Sequence, residues 1–357
     1  MWLVGAVGLV IGVTFAVKML VNYGMDPTVF VAFGDGDSPV QRAYVMEVLG
    51  EVTDRSRFVH DGKFFFAQAN DPWYLEPERH AAVLDRPIYR AQRMLFPMIA
   101  GGFGLFTPGL VVWSMLVTNL LSLALGAMVA AKLAAVWGLS TWLGLWVPLN
   151  IGLIFELHIG GAGILAYTCC LAALYLFVTE RTWAASLLFA AAALSRETMM
   201  AFVVGIVILS WVEKRQIRWQ IVITPLVVMV GWIIYLQLRL IGLDGAGRAW
   251  DAFSLPFVGL VDALGFWVAD PVRLLVDAAL IAIMLAFVPL ALRSRQPLAW
   301  GALPFVALAL LLSANVWREV GDFTRALAPV FTAIPFLVAS PRDEIQAPKR
   351  RSARTPA

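Results

Sequence analysis

Three stretches of this chain gather residue types that can move a proton and hold a phosphate. The first reads Phe33-Gly34-Asp35-Gly36-Asp37-Ser38. The second is His60-Asp61-Gly62-Lys63-Phe64-Phe65-Phe66-Ala67-Gln68-Ala69-Asn70-Asp71-Pro72, and the third runs Asp85-Arg86-Pro87-Ile88-Tyr89-Arg90-Ala91-Gln92-Arg93. A carboxylate followed by glycine and aromatic residues suits a base held at a lipid–water boundary. Arg90 and Arg93 lie one helical turn apart, so their guanidinium groups can converge on one phosphate. Asp35 and Asp37 form an Asp-x-Asp pair of the kind that holds Mg2+ or Mn2+ against a phosphate. Asp-Gly pairs are equally ordinary turn formers, and Asp71-Pro72 reads first as a turn.

Later in the chain Arg196 and Glu197 interrupt one apolar stretch, and Arg325 lies just inside another. Charges at such positions are costly unless they line a cavity or meet an anion. The plain alternatives are an Arg196–Glu197 pair pinning a helical hairpin and an Arg325–Asp322 pair one turn apart. His158, beside Glu156, is either a substrate contact or a satisfied interfacial residue. The two cysteines, Cys169 and Cys170, are adjacent and offer neither a disulfide framework nor a metal-ligand spacing.

The elements that must position these residues are membrane spans. Of 357 residues 61% are hydrophobic and 14% charged, against about 25% charged in an ordinary soluble domain. One soluble core cannot hide that much apolar surface, which excludes a cytosolic enzyme, a nucleic-acid binder and a secreted disulfide scaffold. The formal net charge of +3 fits cytoplasmic loops and a basic tail better than a nucleic-acid surface. The expected fold is all-α and polytopic, with about ten transmembrane helices of about 20 apolar residues or somewhat fewer. They fall at 2–21, 108–131, 136–155, 160–179, 183–195, 198–212, 219–239, 273–292, 298–314 and 323–339. The first is expected to be an anchor rather than a cleaved signal peptide. Splitting 183–212 in two puts Lys132, Arg181, Arg218, Arg293, Arg295 and both termini on the cytoplasmic side, as the positive-inside rule requires. Arg196 and Glu197 then lie at the outer face. The segment 94–107, with Pro97, is too short to cross and reads as re-entrant.

Residues 22–93 hold 11 of the 24 acids and contain no span, so they form a long outer loop that carries chemistry rather than a linker. Within it, Val40, Tyr44, Val45, Val48, Leu49 and Val52 share a helical face after Pro39, with Ser38 placed to cap. This helix and a second at 62–69 are expected to lie on the membrane surface, apolar side down. Gly242, Gly245 and Gly247 mark a turn, and 255–268 is apolar enough to dip into the bilayer. Residues 1–340 make one integral-membrane domain, and 341–357 a disordered, basic cytoplasmic tail.

The pattern Asp-Gly-x-Phe-Phe-x-x-x-Ala-x-Asp-Pro from Asp61, followed by Tyr-Arg-x-x-Arg-x-x-x-Pro from Tyr89, resembles the first outer loop of bacterial integral-membrane glycosyltransferases of the GT-C type. More distantly it is similar to the PIG-V type GPI mannosyltransferases. Leu194-Ser195-Arg196-Glu197-Thr198 and the segment from Asp322 to Pro329 resemble further family segments near outer helix ends. The resemblance implies inverting transfer of a sugar, of mannose or arabinose type, from a polyprenyl-phosphate donor to a cell-surface glycan or glycolipid, at the outer face of a bacterial inner membrane. In that chemistry Asp61 is the first choice for the base that takes the acceptor's proton, with Asp35 and Asp37 as rivals or as metal ligands. Arg325, then Arg90, Arg93 and Arg196, would hold the departing phosphate. Glu197 and His158 would support the acceptor.

Two other classes fit the composition. A transporter or flippase of lipid-linked sugars should show polar breaks near mid-membrane and repeat symmetry; here no inverted repeat is visible and the polar residues gather toward one face. A non-catalytic subunit of envelope glycopolymer assembly would tolerate Asn at Asp61, Asp35 and Asp37 alike.

Overall fold

The computed structural model describes residues 1–55, 60–214, 216–243 and 252–340, and the described residues are helical with no strand. The expected tail at 341–357 and two of the turn glycines, Gly245 and Gly247, lie outside them. Four helices are long and apolar enough to cross a membrane: α1 (Trp2–Asn22), α7 (Pro108–Val136), α12 (Gln220–Arg239) and α14 (Pro271–Arg293). A fifth candidate is a bent pair, α17 (Val320–Ala326) and α18 (Ala328–Ala339), at 66° to each other. The other expected spans at 160–179, 183–195, 198–212 and 298–314 appear as shorter helices: α9 (Gly163–Val178), α10 (Thr182–Ser195), α11 (Met200–Lys214) and α15 (Pro297–Leu310).

The expected helix at 136–155 does not form as one piece. Gly138, at φ +68, ends α7, a 3-10 turn follows at Thr141–Trp146, and α8 (Ile151–His158) starts afresh. Its cap is Asn150, whose side-chain oxygen accepts from Gly152 and Leu153 at 3.0 and 3.3 Å while its amide donates to Ala328 O and Thr332 Oγ1, both at 2.9 Å. One asparagine therefore ends a helix break and ties α8 to the start of α18.

The break at Arg196 is present, and contacts give its direction. Arg218, just after α11, donates to Thr182 at 2.9 Å and pairs with Glu180, so the start of α10 and the exit from α11 lie at one end of the bundle. Arg196, between the two helices, pairs with Glu156 at the opposite end. The chain thus runs up α10 and back down α11. The two do not pack on each other: α10 lies against α9 and α12, α11 against α15. Lys132, over the Tyr175 ring at 5.7 Å, shares the Arg218 end.

Close helix approach rests on small residues, as is usual where lipid removes the hydrophobic drive to associate. Gly5, Gly8 and Gly12 of α1 face Ala124, Ala127 and Leu120 of α7, and Gly205 of α11 meets the backbone of Trp300 in α15.

The outer loop is where expectation and structure part. α2 (Pro39–Leu49) starts as expected, with a capping box between Ser38 and Gln41. Its Tyr44 and Val45 side faces protein, buried in a cluster with Phe33, Phe65 and Val83. α3 (Gly62–Asn70) is buried along nearly its whole length, wedged against α6 (Leu95–Phe103) and α7. The physical reason is the run Phe64-Phe65-Phe66, which covers more than one helical face. Phe64 packs with Tyr74 and Leu236, while Phe65 and Phe66 pack with Phe96 and Val111. The loop is a folded layer closing one end of the bundle. Asp26 ties its start to Thr53, its carboxylate accepting from Thr28 N and Oγ1 and from Thr53 Oγ1 at 2.9, 2.6 and 2.5 Å.

A β-carbon at Gly205 would collide with the Trp300 carbonyl, whereas one at Gly231 would meet nothing within 4 Å. Gly205→Ala should therefore destabilise the protein by about 1–3 kcal/mol, and Gly231→Ala should be neutral or stabilise it by about 0.5–1 kcal/mol. Melting curves in detergent check both; equal effects would contradict the α11–α15 crossing.

Candidate functional site

Gly62 sets the place of Asp61. A β-carbon at Gly62 would lie within 2.8 Å of the carbonyl oxygens of Phe30, Ile159 and Val31, so only glycine lets the start of α3 press against the 3-10 turn Pro27–Val31 and the end of α8. The Asp-Gly pair is thus needed for close approach rather than for a turn with positive φ. The Asp61 carbonyl accepts from Phe64 N and Phe65 N at 2.9 and 3.2 Å, but the carboxylate makes no capping bond. It turns to arginines instead.

Three guanidinium groups reach it. Arg90, from α5 (Pro87–Ala91), lies 2.7 Å from Asp61 Oδ1; Arg325 and Arg93 lie 3.3 and 3.8 Å from Oδ2. Each arginine has a second carboxylate. Arg90 pairs with Asp85 at 2.8 Å and sits over the Phe64 ring at 4.2 Å. Arg93 forks onto both oxygens of Glu197 at 2.8 and 2.7 Å and donates to Tyr89 Oη at 2.7 Å. Arg325 pairs with Asp322 at 3.0 Å and approaches Glu156 at 3.7 Å. Glu156, buried, also binds Arg196 and accepts from Gly163 N at 3.1 Å. A narrow cavity opens among Asp61, Arg93, Glu156, Arg196 and Arg325.

The sequence-expected residues Asp61, Arg90, Arg93, Arg196, Glu197 and Arg325 therefore meet in one cluster. The pairing differs from the simplest expectation: Arg196 binds Glu156 and Glu197 binds Arg93, so neighbours in sequence face different partners. Glu156, noted only as the companion of His158, is a full member, as are Asp85, Tyr89 and Asp322. A sequence signal for Glu156 existed, since a buried carboxylate inside an apolar run needs a cation.

Three expected residues lie apart. Asp37 is buried against Lys63 and accepts from Gly34 N at 2.9 Å, whereas Asp35 is exposed and 3.9 Å from Arg42. The two carboxylates face different cations, Asp37 facing Lys63 and Asp35 facing Arg42. His158 stacks on Phe155 at 6.5 Å and lines a different cavity.

The electrostatics follow from burial and these partners. Burial raises the Asp61 carboxyl, but Arg90, Arg325 and Arg93 outweigh it and hold the group well below its ordinary value. Burial, helped by the charge of Arg325, pushes His60 down to about 4. Burial, helped by Arg55, does the same to His158. Both imidazoles stay neutral over about pH 5 to 8.

Compared with family models, curated proteins and solved structures, the chain matches none. The reading of its function rests on the cluster.

Asp61→Asn leaves each arginine at least one carboxylate, so it should cost only about 1–2 kcal/mol, below the about 3–5 kcal/mol of a stripped buried pair. Glu156→Gln leaves Arg196 without its partner and should cost the larger amount. The depressed Asp61 carboxyl stabilises the fold fully above the unfolded value near about 4 and loses that share as pH falls below it. The melting difference between native and Asp61→Asn protein should hold constant from about pH 8 to 5 and shrink below about 4; a step near about pH 6.5 would instead implicate histidine.

Proposed function

We propose that this chain is a membrane glycosyltransferase of the GT-C type, transferring a sugar from a polyprenyl-phosphate donor to a glycan or glycolipid acceptor with inversion. The observation that carries the reading is the contact of one carboxylate, Asp61, with Arg90, Arg93 and Arg325, at the end of the bundle away from Lys132 and Arg218.

In this reaction the acceptor oxygen bonds to the anomeric carbon as the bond from that carbon to the phosphate oxygen breaks. The acceptor's proton passes to Asp61, and the new negative charge on the phosphate goes to the arginines. Arginines already paired with Asp61 make it a weak base. An arriving donor phosphate competes for the same guanidinium groups. As they turn to the phosphate, the carboxylate loses the charges that depress its proton affinity. Donor binding thereby prepares the base. Arg93 is suited to the task by its fork geometry, which fits phosphate as well as the Glu197 carboxylate. No step is assigned to Asp35 or Asp37.

The positive-inside rule supports a cytoplasmic position for the Lys132–Arg218 end and an extracytoplasmic one for the cluster, in a bacterial inner membrane. With the short helices counted as crossings, the chain passes the bilayer about ten times. A lipid-linked donor suits that face, where nucleotide sugars are not supplied.

Purified protein in lipid, given labelled polyprenyl-phosphate sugars and an acceptor extract, should transfer label. Asp61→Asn, shown to be folded, should lose at least about a hundredfold, since positioned proton transfer contributes about 10²–10⁴. Full transfer by the variant would remove Asp61 as base, and no transfer by native protein with any donor would favour a flippase. A cysteine at Thr198 in a Cys169→Ser, Cys170→Ser background should react with an impermeant thiol reagent added outside cells. Protection would overturn the topology.

A further inference from the structure

A second cavity lies between the last turns of α1 and the outer ends of the Pro27–Val31 turn and α8, away from the arginine cluster. Its volume is about 170 Å³, below the about 300–1,000 Å³ of pockets that enclose a whole small ligand, so it is a groove that can grip part of a larger amphiphile. Its lining is graded. Phe15, Met19, Phe30, Ile154 and Leu157 form an apolar trough, and Lys18, Asn22, Tyr23 and His158 provide polar groups.

Lys18 is the informative residue. It is the only charged side chain on an otherwise apolar helix, and it is exposed. Among the described residues it pairs with no carboxylate. It stands four residues before the end of α1 at Asn22, which at about 1.5 Å per residue is about 6 Å inside the helix end. That is the depth at which a lysine on a membrane helix reaches lipid phosphates. A cation on the outer end of a span gains nothing from the positive-inside rule, so its favourable partner is an anion from the bilayer. The neighbouring imidazole of His158 is neutral and does not compete for that anion.

We propose that this groove is a binding site for an anionic phospholipid of the surrounding bilayer, with one acyl chain in the trough and the headgroup phosphate on Lys18. The charge of Lys18 and the apolar-to-polar gradient select an amphiphile with a negative head. The site bears on the arginine cluster through α8, because Ile154, Leu157 and His158 line the groove while Glu156 of the same helix binds Arg196 and approaches Arg325. A lipid in the groove therefore braces the helix that carries Glu156. The proposal rests on the membrane orientation inferred above but not on the transferase chemistry.

Full-length protein in a non-ionic detergent, titrated with dioleoylphosphatidylglycerol or dioleoylphosphatidylcholine, is read by native mass spectrometry for retained lipid and by melting temperature. The native protein and Lys18→Arg should retain one phosphatidylglycerol in preference to phosphatidylcholine and melt higher with it. Lys18→Glu, a change at an exposed position, should weaken phosphatidylglycerol binding by at least about fivefold while its lipid-free melting temperature stays unchanged. Equal retention of the two lipids by native protein, or no change in Lys18→Glu, would overturn the proposal. So would stoichiometric displacement of phosphatidylglycerol by undecaprenyl phosphate, which would make the groove a donor site.

Discussion

Everything at the polar end of this molecule is arranged around the Asp61 carboxylate and the three guanidinium groups that reach it. A buried carboxylate without cations, or arginines without acids, would cost several kcal/mol each, about the size of a domain's whole stability when summed. The partners come from α3, α5 and its following turn, and α17, while Glu197 and Glu156 draw in the break after α10 and the end of α8. Holding these five places together requires the rest of the fold. The Phe64-Phe65-Phe66 run buries α3, Gly62 lets it approach the backbone of Phe30 and Ile159, and Asn150 fastens α8 to α18.

The cluster is also balanced. Arg90, Arg93, Arg196 and Arg325 face Asp61, Glu156, Glu197 and Asp322, with Asp85 as a more exposed additional acid. An anionic ligand therefore finds no idle cation and must exchange places with a carboxylate. Such a site gains selectivity from the exchange: only a ligand that offers each guanidinium as good a partner as it gives up can enter. Neutral sugars or lipids cannot compensate for broken pairs.

The helical character and the long stretch without a span after α1 were legible from composition and from charge placement. The Ser38 cap, the start of α3 at Gly62 and the break at Arg196 were legible too, because capping and breaking are local signals. Burial of the loop was not. An aromatic run over a short helix reads alike whether lipid or protein covers it, and only the positions of Phe96, Val111 and Leu236 decide. The partners of Arg196 and Glu197 were equally hidden, since adjacent residues on a helix break point in different directions. Asp35 and Asp37 shared a motif in sequence yet were separated by Lys63, whose side chain claims one of them. The expectation of one helix over 136–155 failed because it weighed apolar content above the stop signals at Gly138 and Pro148, which prevail in the structure.

The contact between Asp61 and Arg325 spans 264 positions of the chain, and this has a consequence in time. A ribosome delivers the stretch that carries Asp61 long before α17 exists, at about 5–20 residues per second. For that interval Asp61 has Arg90 and Arg93 but not its third cation, and Arg196 is made after Glu156 yet before the helix that completes the ring. The polar end is thus closed last, by the segment that follows almost every other helix. A nascent chain lacking it can be threaded and largely packed while the arginine–carboxylate cluster is still open, so the newly made protein completes that cluster only once its assembly is nearly finished.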